Sequence, residues 1–410
     1  MISSNSNLCA RCKGRLWCGK QRCPIVSKVY EQNKPKVSTR LEGSSPPSVF
    51  VGSYNYPKVF VGPMVPQLHG DTNFMDTPEL WSEKSLDDIL DFRFKLIRGK
   101  FLTNVEDFSG KIIERTREIA LCEESPATEI EFKNKPSGKV GISNEMHPFG
   151  PSASVVNLDV ENKPFNNRIE KAFYDTDLKT VPAVLDLYKN GVLISKLQKA
   201  LSVGAFGIGK KRKFVPTRWS ITAVDDMVSK KLIEQIRNFP LINEYRIYEH
   251  EALDNRWFVL MIPSEWGYEQ MEAWYPKSSW NPSQTLDISS GHENFKGLRG
   301  YPDTAGCYFA TRLGATEQLA QERRQATVIV FREVHPGYDI PVGVWHTRES
   351  IRSAVCKVPE IFASMNASLD YLSKKLSIPM KTWVEKSTLL RKTIMQRTLS
   401  DFIKIKHFVK

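Results

Sequence analysis

From residue 49 onward the chain alternates short apolar runs with stretches of helical period. VFVG at 49–52 and VFVGP at 59–63 are β-like runs broken by Gly and Pro. Ser85 offers an N-cap to a helix reaching about Gly99, with Leu86, Ile89, Leu90, Phe94 and Ile97 on one side. A second helix is predicted over Asp107 to Glu123. The stretch from Ser125 to Pro164 is polar and punctuated by Gly and Pro, which reads as an irregular excursion.

Helical periodicity returns over Ala183 to Leu201 and over Val224 to Phe239. Alternating segments at Tyr245 to His250 and Arg256 to Ile262, joined by Glu-Ala-Leu-Asp-Asn, predict a β-hairpin. TVIVF at 327–331 reads as a buried strand, and helices are expected over Thr347 to Val355, Val358 to Leu376 and Trp383 to Met395. No internal repeat appears. Strands and helices interleave without a βαβ rhythm, so the expected class is α+β: a mixed-sheet core with several helices. That core should occupy 49–395, with any subdomain break near 125–164. Residues 31–48, rich in Lys, Ser and Pro, read as a linker.

Composition narrows the class without naming a reaction. The 410 residues include 41% hydrophobic and 25% charged positions, which excludes a wholly disordered or fibrous chain. No stretch approaches the roughly 20 apolar residues of a membrane helix, and Met1 to Asn7 carries no secretory pattern. A cytoplasmic address with no membrane partner is the expectation. The net charge of +12 favours acidic partners.

The seven cysteines divide unevenly. Cys122, Cys307 and Cys356 are scattered and read as small apolar residues. Cys9, Cys12, Cys18 and Cys23 follow the spacing C-x2-C-x5-C-x4-C. Four thiolates at that spacing can close a tetrahedron around a structural Zn²⁺, with an iron–sulfur cluster as the alternative. The expected module spans 8–25, and Arg11, Lys13, Arg15, Lys20, Arg22 and Trp17 lie within it without any acidic residue. Those cations and the aromatic suit phosphate contact and base stacking.

Gly204 to Ser220 (GAFGIGKKRKFVPTRWS) imitates a P-loop. However, Lys211 stands where the Mg²⁺-holding Ser or Thr is required, and helix rather than strand precedes it. What remains is a nucleic-acid surface made of Lys210, Lys211, Arg212, Lys213 and Arg218 beside Trp219. Farther on, Arg323, Arg324, Arg332, Arg348 and Arg352 occur with Glu333, Glu349, His335 and His346, either as a phosphate clamp or as structural Arg–Glu pairs.

At the C-terminus (396–410), Gln396, Leu399, Phe402 and Ile403 fit the pattern Gln-x-x-aliphatic-x-x-aromatic-hydrophobic. On a single helical turn, Leu399, Phe402 and Ile403 form one greasy face. This tail resembles the peptide by which replication and repair proteins bind the sliding clamp (PCNA), with Ile403 where a second aromatic is usual. Together with WCGKQRCPI, VGSYNYPKVFVGPMVP, KKRKFVPTRWSITAVDD and RQATVIVFREV, the chain resembles the archaeal Nre DNA-repair family over nearly its whole length. The resemblance implies an N-terminal metal module, clamp interaction and a response to DNA damage, with DNA as partner. It implies no residue-level activity.

Two other function classes stay open. One is an enzyme acting on damaged DNA or a nucleotide cofactor, nuclease-like or ADP-ribosyltransferase-like, with Arg218, Ser220 and Glu333 as catalytic candidates. RWSITAVDDMVSKKL is similar to the strand-then-helix start of DNA ADP-ribosyltransferases. The other is an RNA-binding zinc protein, in which the tail has no use.

Overall fold

The computed structural model describes residues 38–137 and 146–395. The cysteine quartet at 9–23 and the tail motif at 396–403 therefore lie outside the described residues.

The first sheet holds β1 (Arg40–Ser44), β2 (Val49–Val51), β3 (Lys58–Val65), β4 (Ile97–Asn104), β5 (Ala127–Phe132) and β6 (Ser152–Val160), in the order β1-β5-β6-β4-β3-β2. Only β4 and β6 run parallel. The linker expected over 31–48 is, from Arg40 on, an edge strand paired with β5. Its composition hid it because a backbone ladder carries such an edge and only Leu41 need be large and apolar. The excursion expected over Ser125 to Pro164 likewise supplies β5 and β6. In β5, Thr128, Ile130 and Phe132 are buried while Ala127 and Glu129 are exposed, an alternation too short to outweigh the surrounding Gly and Pro.

Helices α1 (Leu86–Phe94) and α2 (Lys111–Leu121) punctuate this sheet, and Ser85 caps α1 through a reciprocal box with Asp88. The helix expected to Gly99 stops at Phe94, because Ile97 onward enters β4. Three more helices follow: α3 (Asn167–Tyr174), α4 (Thr180–Lys189) and α5 (Ile194–Ser202). The single helix predicted over 183–201 is thus two, divided where Gly191 takes φ +81°.

The long α6 (Thr217–Ile236) leads into a second sheet. This sheet contains β7 (Tyr245–Ala252), β8 (Asn255–Ile262), β9 (Gly267–Trp274), β10 (Asp287–Asn294), β11 (Gly297–Leu298), β12 (Thr327–Val334) and β13 (Glu360–Phe362). Their order is β11-β10-β9-β12-β8-β7-β13, parallel only between β9 and β12. The hairpin of β7 and β8 turns on Leu253 and Asp254, both at positive φ, as a two-residue primed turn demands.

Helices α7 (Gly306–Glu322) and α8 (Trp345–Val355) cover one face of this sheet; α9 (Met365–Lys375), α10 (Met380–Lys386) and α11 (Thr388–Met395) cover the other. Burial on both faces makes every residue of β9 and β12 buried. The two halves share side chains. Val224 and Val228 of α6 join the first core, while Ile233 and Ile236 join the second.

Three of the five arginines singled out in the C-terminal half, Arg332, Arg348 and Arg352, resolve into structural pairs. Buried Arg332 donates to Glu272 Oε1 at 2.8 Å and to Asn255 Oδ1 at 2.9 Å, and lies 4.7 and 5.2 Å from the ring centres of Trp257 and Trp274. Arg348 pairs with Asp225, and Arg352 with Glu317. Removing one partner of a buried pair strands the other charge, at about 3–5 kcal/mol. Glu272→Gln, nearly isosteric, should therefore lower the unfolding free energy by about that amount in denaturant melts at pH 7.

Candidate functional site

Helix α5 has the sequence ISKLQKALS, and its faces divide by chemistry. Ile194, Leu197, Ala200 and Leu201 enter the first core. Ser195, Gln198, Lys199 and Ser202 line an inner pocket, a polar stripe at positions i, i+3, i+4 and i+7. Lys196 and Lys199 also border a wider cleft.

The seat of this helix is a buried carboxylate. Asp76, on a short turn before α1, receives Arg93 Nη1 at 2.5 Å and His147 Nδ1 at 3.2 Å on one oxygen. Lys199 Nζ lies 3.4 Å from the other oxygen and donates to the Asp76 carbonyl at 2.8 Å. Burial alone would raise the Asp76 pKa, but Lys199 and Arg93 together hold it far below the ordinary carboxylate range. For His147 burial dominates and lowers the pKa, so the ring is neutral at pH 7. Glu79 adds a second tie, accepting the Ser195 N–H at 2.9 Å.

The inner pocket is small, about 40 Å³, and is walled on its apolar side by Val49, Phe50, Met64 and Ile221. Outside it opens a cleft of about 780 Å³, bordered by Asp71, Glu123, Asn167, Arg168, Lys196 and Lys199. Ser195 and Lys199 line both spaces. Within the cleft wall, Lys196 donates to the Cys122 carbonyl. Burial first, and then the charge of Lys199, push its amine down to about 7. The arrangement can bind a polar, anionic ligand whose bulk occupies the cleft.

The family model described as "Archaeal Nre, N-terminal" matches residues 17–281, and "Archaeal Nre, C-terminal" matches residues 293–402. The chain belongs to the archaeal Nre family. It is 39% identical over 398 residues to a protein of Archaeoglobus fulgidus named DNA repair protein NreB, covering 96% of this chain and 100% of the relative. It is 35% identical to the DNA repair protein NreA of the same organism, over 92% of this chain and 95% of that one. With NreA of Haloferax volcanii the identity is 36%, over 77% and 78%. No solved structure matches. The boundary between the two Nre models falls inside the second sheet, between β9 and the end of β10, so the two models do not correspond to the two sheets.

In this Nre chain the expected basic surface is only partly free. Lys210 and Lys211 are exposed on a short 3₁₀ turn. Lys213 is half-buried. Arg212 is spent internally, donating to the carbonyls of Gly207, Phe173 and Asp175 at 2.5–2.6 Å and so capping the end of α3. Arg218 lies half-buried in the first turn of α6 and has its own partner. Arg11, Lys13 and Arg15 fall outside the described residues.

The three catalytic candidates do not converge. Ser220 lines the inner pocket and donates to the Thr217 carbonyl at 2.9 Å. Glu333 faces the opposite side of the second sheet, where it accepts the N–H groups of Ser377 and Ile378, both at 2.9 Å, ahead of α10. No strand precedes the 218–232 segment either, since it is helical throughout, unlike the transferase start it resembles. Cys122 and Cys307 are buried, as scattered cysteines were expected to be, but Cys356 is exposed. Among the described residues no group of His, Cys, Asp and Glu could hold a metal, and no helix is long and apolar enough to cross a membrane.

Sequence reading missed Asp76, Arg93, His147, Lys196 and Lys199 because they come from four separate segments. The one local signal was the polar stripe on an otherwise apolar α5. Asp76 gives this seat a defined acid limit. Its folded pKa lies below the unfolded value near 3.9, so its stabilisation is complete above that value and is lost as pH falls. Asp76→Asn should destabilise the fold at pH 7. Its deficit relative to the parent should shrink below about pH 4 by close to 1.4 kcal/mol per pH unit, read from urea melts at pH 7, 4 and 3.

Proposed function

We propose that this Nre chain is a DNA-repair factor that holds nucleic-acid phosphate in the cleft beside α5 and is recruited to the sliding clamp by its C-terminal peptide. The observation that carries this reading is the cleft itself, about 780 Å³, where Lys196, Lys199 and Arg168 outnumber the carboxylates Asp71 and Glu123. The names of the relatives, each a DNA repair protein, support the same role. Lys210 and Lys211 add exposed cations that release counterions on contact with DNA.

The end of the described fold supports recruitment through the tail motif. Helix α11 is anchored at its start by buried Glu269, which accepts the N–H groups of Thr388 and Leu389 at 2.8 and 2.9 Å. At its other end Met395 is 77% exposed, and Gln396 of the clamp-type motif follows at once. Tethering raises local concentration without new DNA contacts, so even weak phosphate binding in the cleft suffices at the replication fork. The N-terminal quartet Cys9, Cys12, Cys18 and Cys23 holds a structural zinc in this reading, and Arg11, Lys13 and Arg15 extend the basic surface. The protein works in the cytoplasm, where archaeal DNA lies.

Phe402→Ala should abolish capture by immobilised clamp while leaving the affinity for free duplex unchanged; clamp capture that survives the change would refute recruitment by this tail. Metal analysis of the full chain should find one zinc lost on Cys12→Ser. A metal-free parent protein would remove the zinc module from the account.

A further inference from the structure

We infer that Lys196 is a nucleophile that forms a Schiff base with the sugar aldehyde left in DNA where a base has been lost. This deepens the proposed function and rests on it, since the aldehyde is delivered by DNA lying in the cleft.

The geometry comes first. Lys196 sits in the first turn of α5, half-buried, and borders the wide cleft beside that helix. The two lysines one turn apart are held differently. Lys199 is fixed on Asp76, through both its carbonyl and its carboxylate. Lys196 forms no ion pair among the described residues; its amine donates to a neutral carbonyl, that of Cys122. A lysine kept from water, beside a second fixed cation, is the arrangement that frees an amine for attack on a carbonyl. Arg168 and Lys199 border the same cleft, with Arg168 donating to the Asn190 carbonyl and Lys199 held on Asp76.

The charges facing this amine act in both directions. Burial and Lys199 lower its pKa to about 7, against Glu123, Cys122 and Asp76, which raise it. The free amine is therefore far more available near neutral pH than that of an ordinary lysine, whose pKa is about 10.4.

The chemistry needs no oxidant and no metal. An intact nucleotide offers the amine no aldehyde, but the sugar of a baseless site opens to one at C1′. The Nζ lone pair forms the N–C1′ bond, and the carbonyl oxygen takes up a proton to give a carbinolamine. Loss of that oxygen as water, carrying both protons originally on the neutral amine, leaves the imine. Hydrolysis reverses the sequence and restores Lys196.

The test uses the full chain, a duplex with one abasic site, the matching intact duplex, and cyanoborohydride, which reduces the imine to a stable secondary amine. The parent protein should cross-link only to the abasic duplex, at a residue that peptide mass mapping places at Lys196. The yield should rise through about pH 7 and then level. Lys196→Arg, which keeps the charge, should lose the cross-link, and so should Lys196→Met, whose binding to both duplexes in the absence of reductant should weaken equally. Binding without a cross-link, or a cross-link that maps elsewhere and persists in both variants, overturns the inference and leaves the DNA-binding reading standing. Absence of duplex binding overturns both.

Discussion

One buried negative charge organises the N-terminal half. Asp76 gathers Arg93 from α1, His147 from the segment before β6 and Lys199 from α5, so a single carboxylate ties together elements far apart in sequence. An isolated carboxylate at that depth would be neutralised or would unfold its surroundings. Two cations and a neutral imidazole keep it ionised instead, and their directional bonds fix where α5 lies. The position of the cleft wall follows from that. Lys199 is held by the carboxylate, and Lys196, three residues earlier, borders the cleft with its amine on the Cys122 carbonyl and its pKa lowered by burial and by Lys199.

The same logic recurs between the halves. Gln198 of α5 donates to Asp225 of α6 at 3.1 Å, and Asp225 accepts Arg348 of α8 at 3.0 and 3.1 Å. Arg312 of α7 joins Glu293 of β10 to Asp226 of α6 at 2.7 and 2.5 Å. Hydrophobic packing supplies most of the stability of such a core. The charged bonds add registry, because a helix that slid by one residue would leave an arginine buried without its partner. The inner pocket lies beside these ties, so its shape is set by both halves of the chain.

How much of this was legible depended on whether a residue's neighbours lay close in sequence. The β7–β8 hairpin could be read because alternation and turn are local. Helix α7 was missed for the opposite reason: Gly306 through Thr316 are all buried, so no polar face marks its period. Strand β9 conceals itself too, with Glu269, Gln270 and Glu272 fully buried where a reader expects apolar residues. Glu269 caps α11 and Glu272 pairs with Arg332, and both partners lie more than fifty residues away. Family membership was legible from contiguous segments. The seat of α5 was not, because Asp76, His147 and Lys199 meet only in three dimensions. Runs of charge drew notice that the structure assigns in part elsewhere, as with Arg212, whose guanidinium closes a helix end.

The central claim is that α5 presents its lysines to DNA. Lysine footprinting tests it most directly: brief acylation of the full chain at pH 7, with and without duplex DNA, read by peptide mass. The account predicts that Lys196 is labelled in the free protein and becomes shielded when DNA is added. Unchanged labelling of Lys196 by DNA, with protection confined to Lys210 and Lys211, would contradict it.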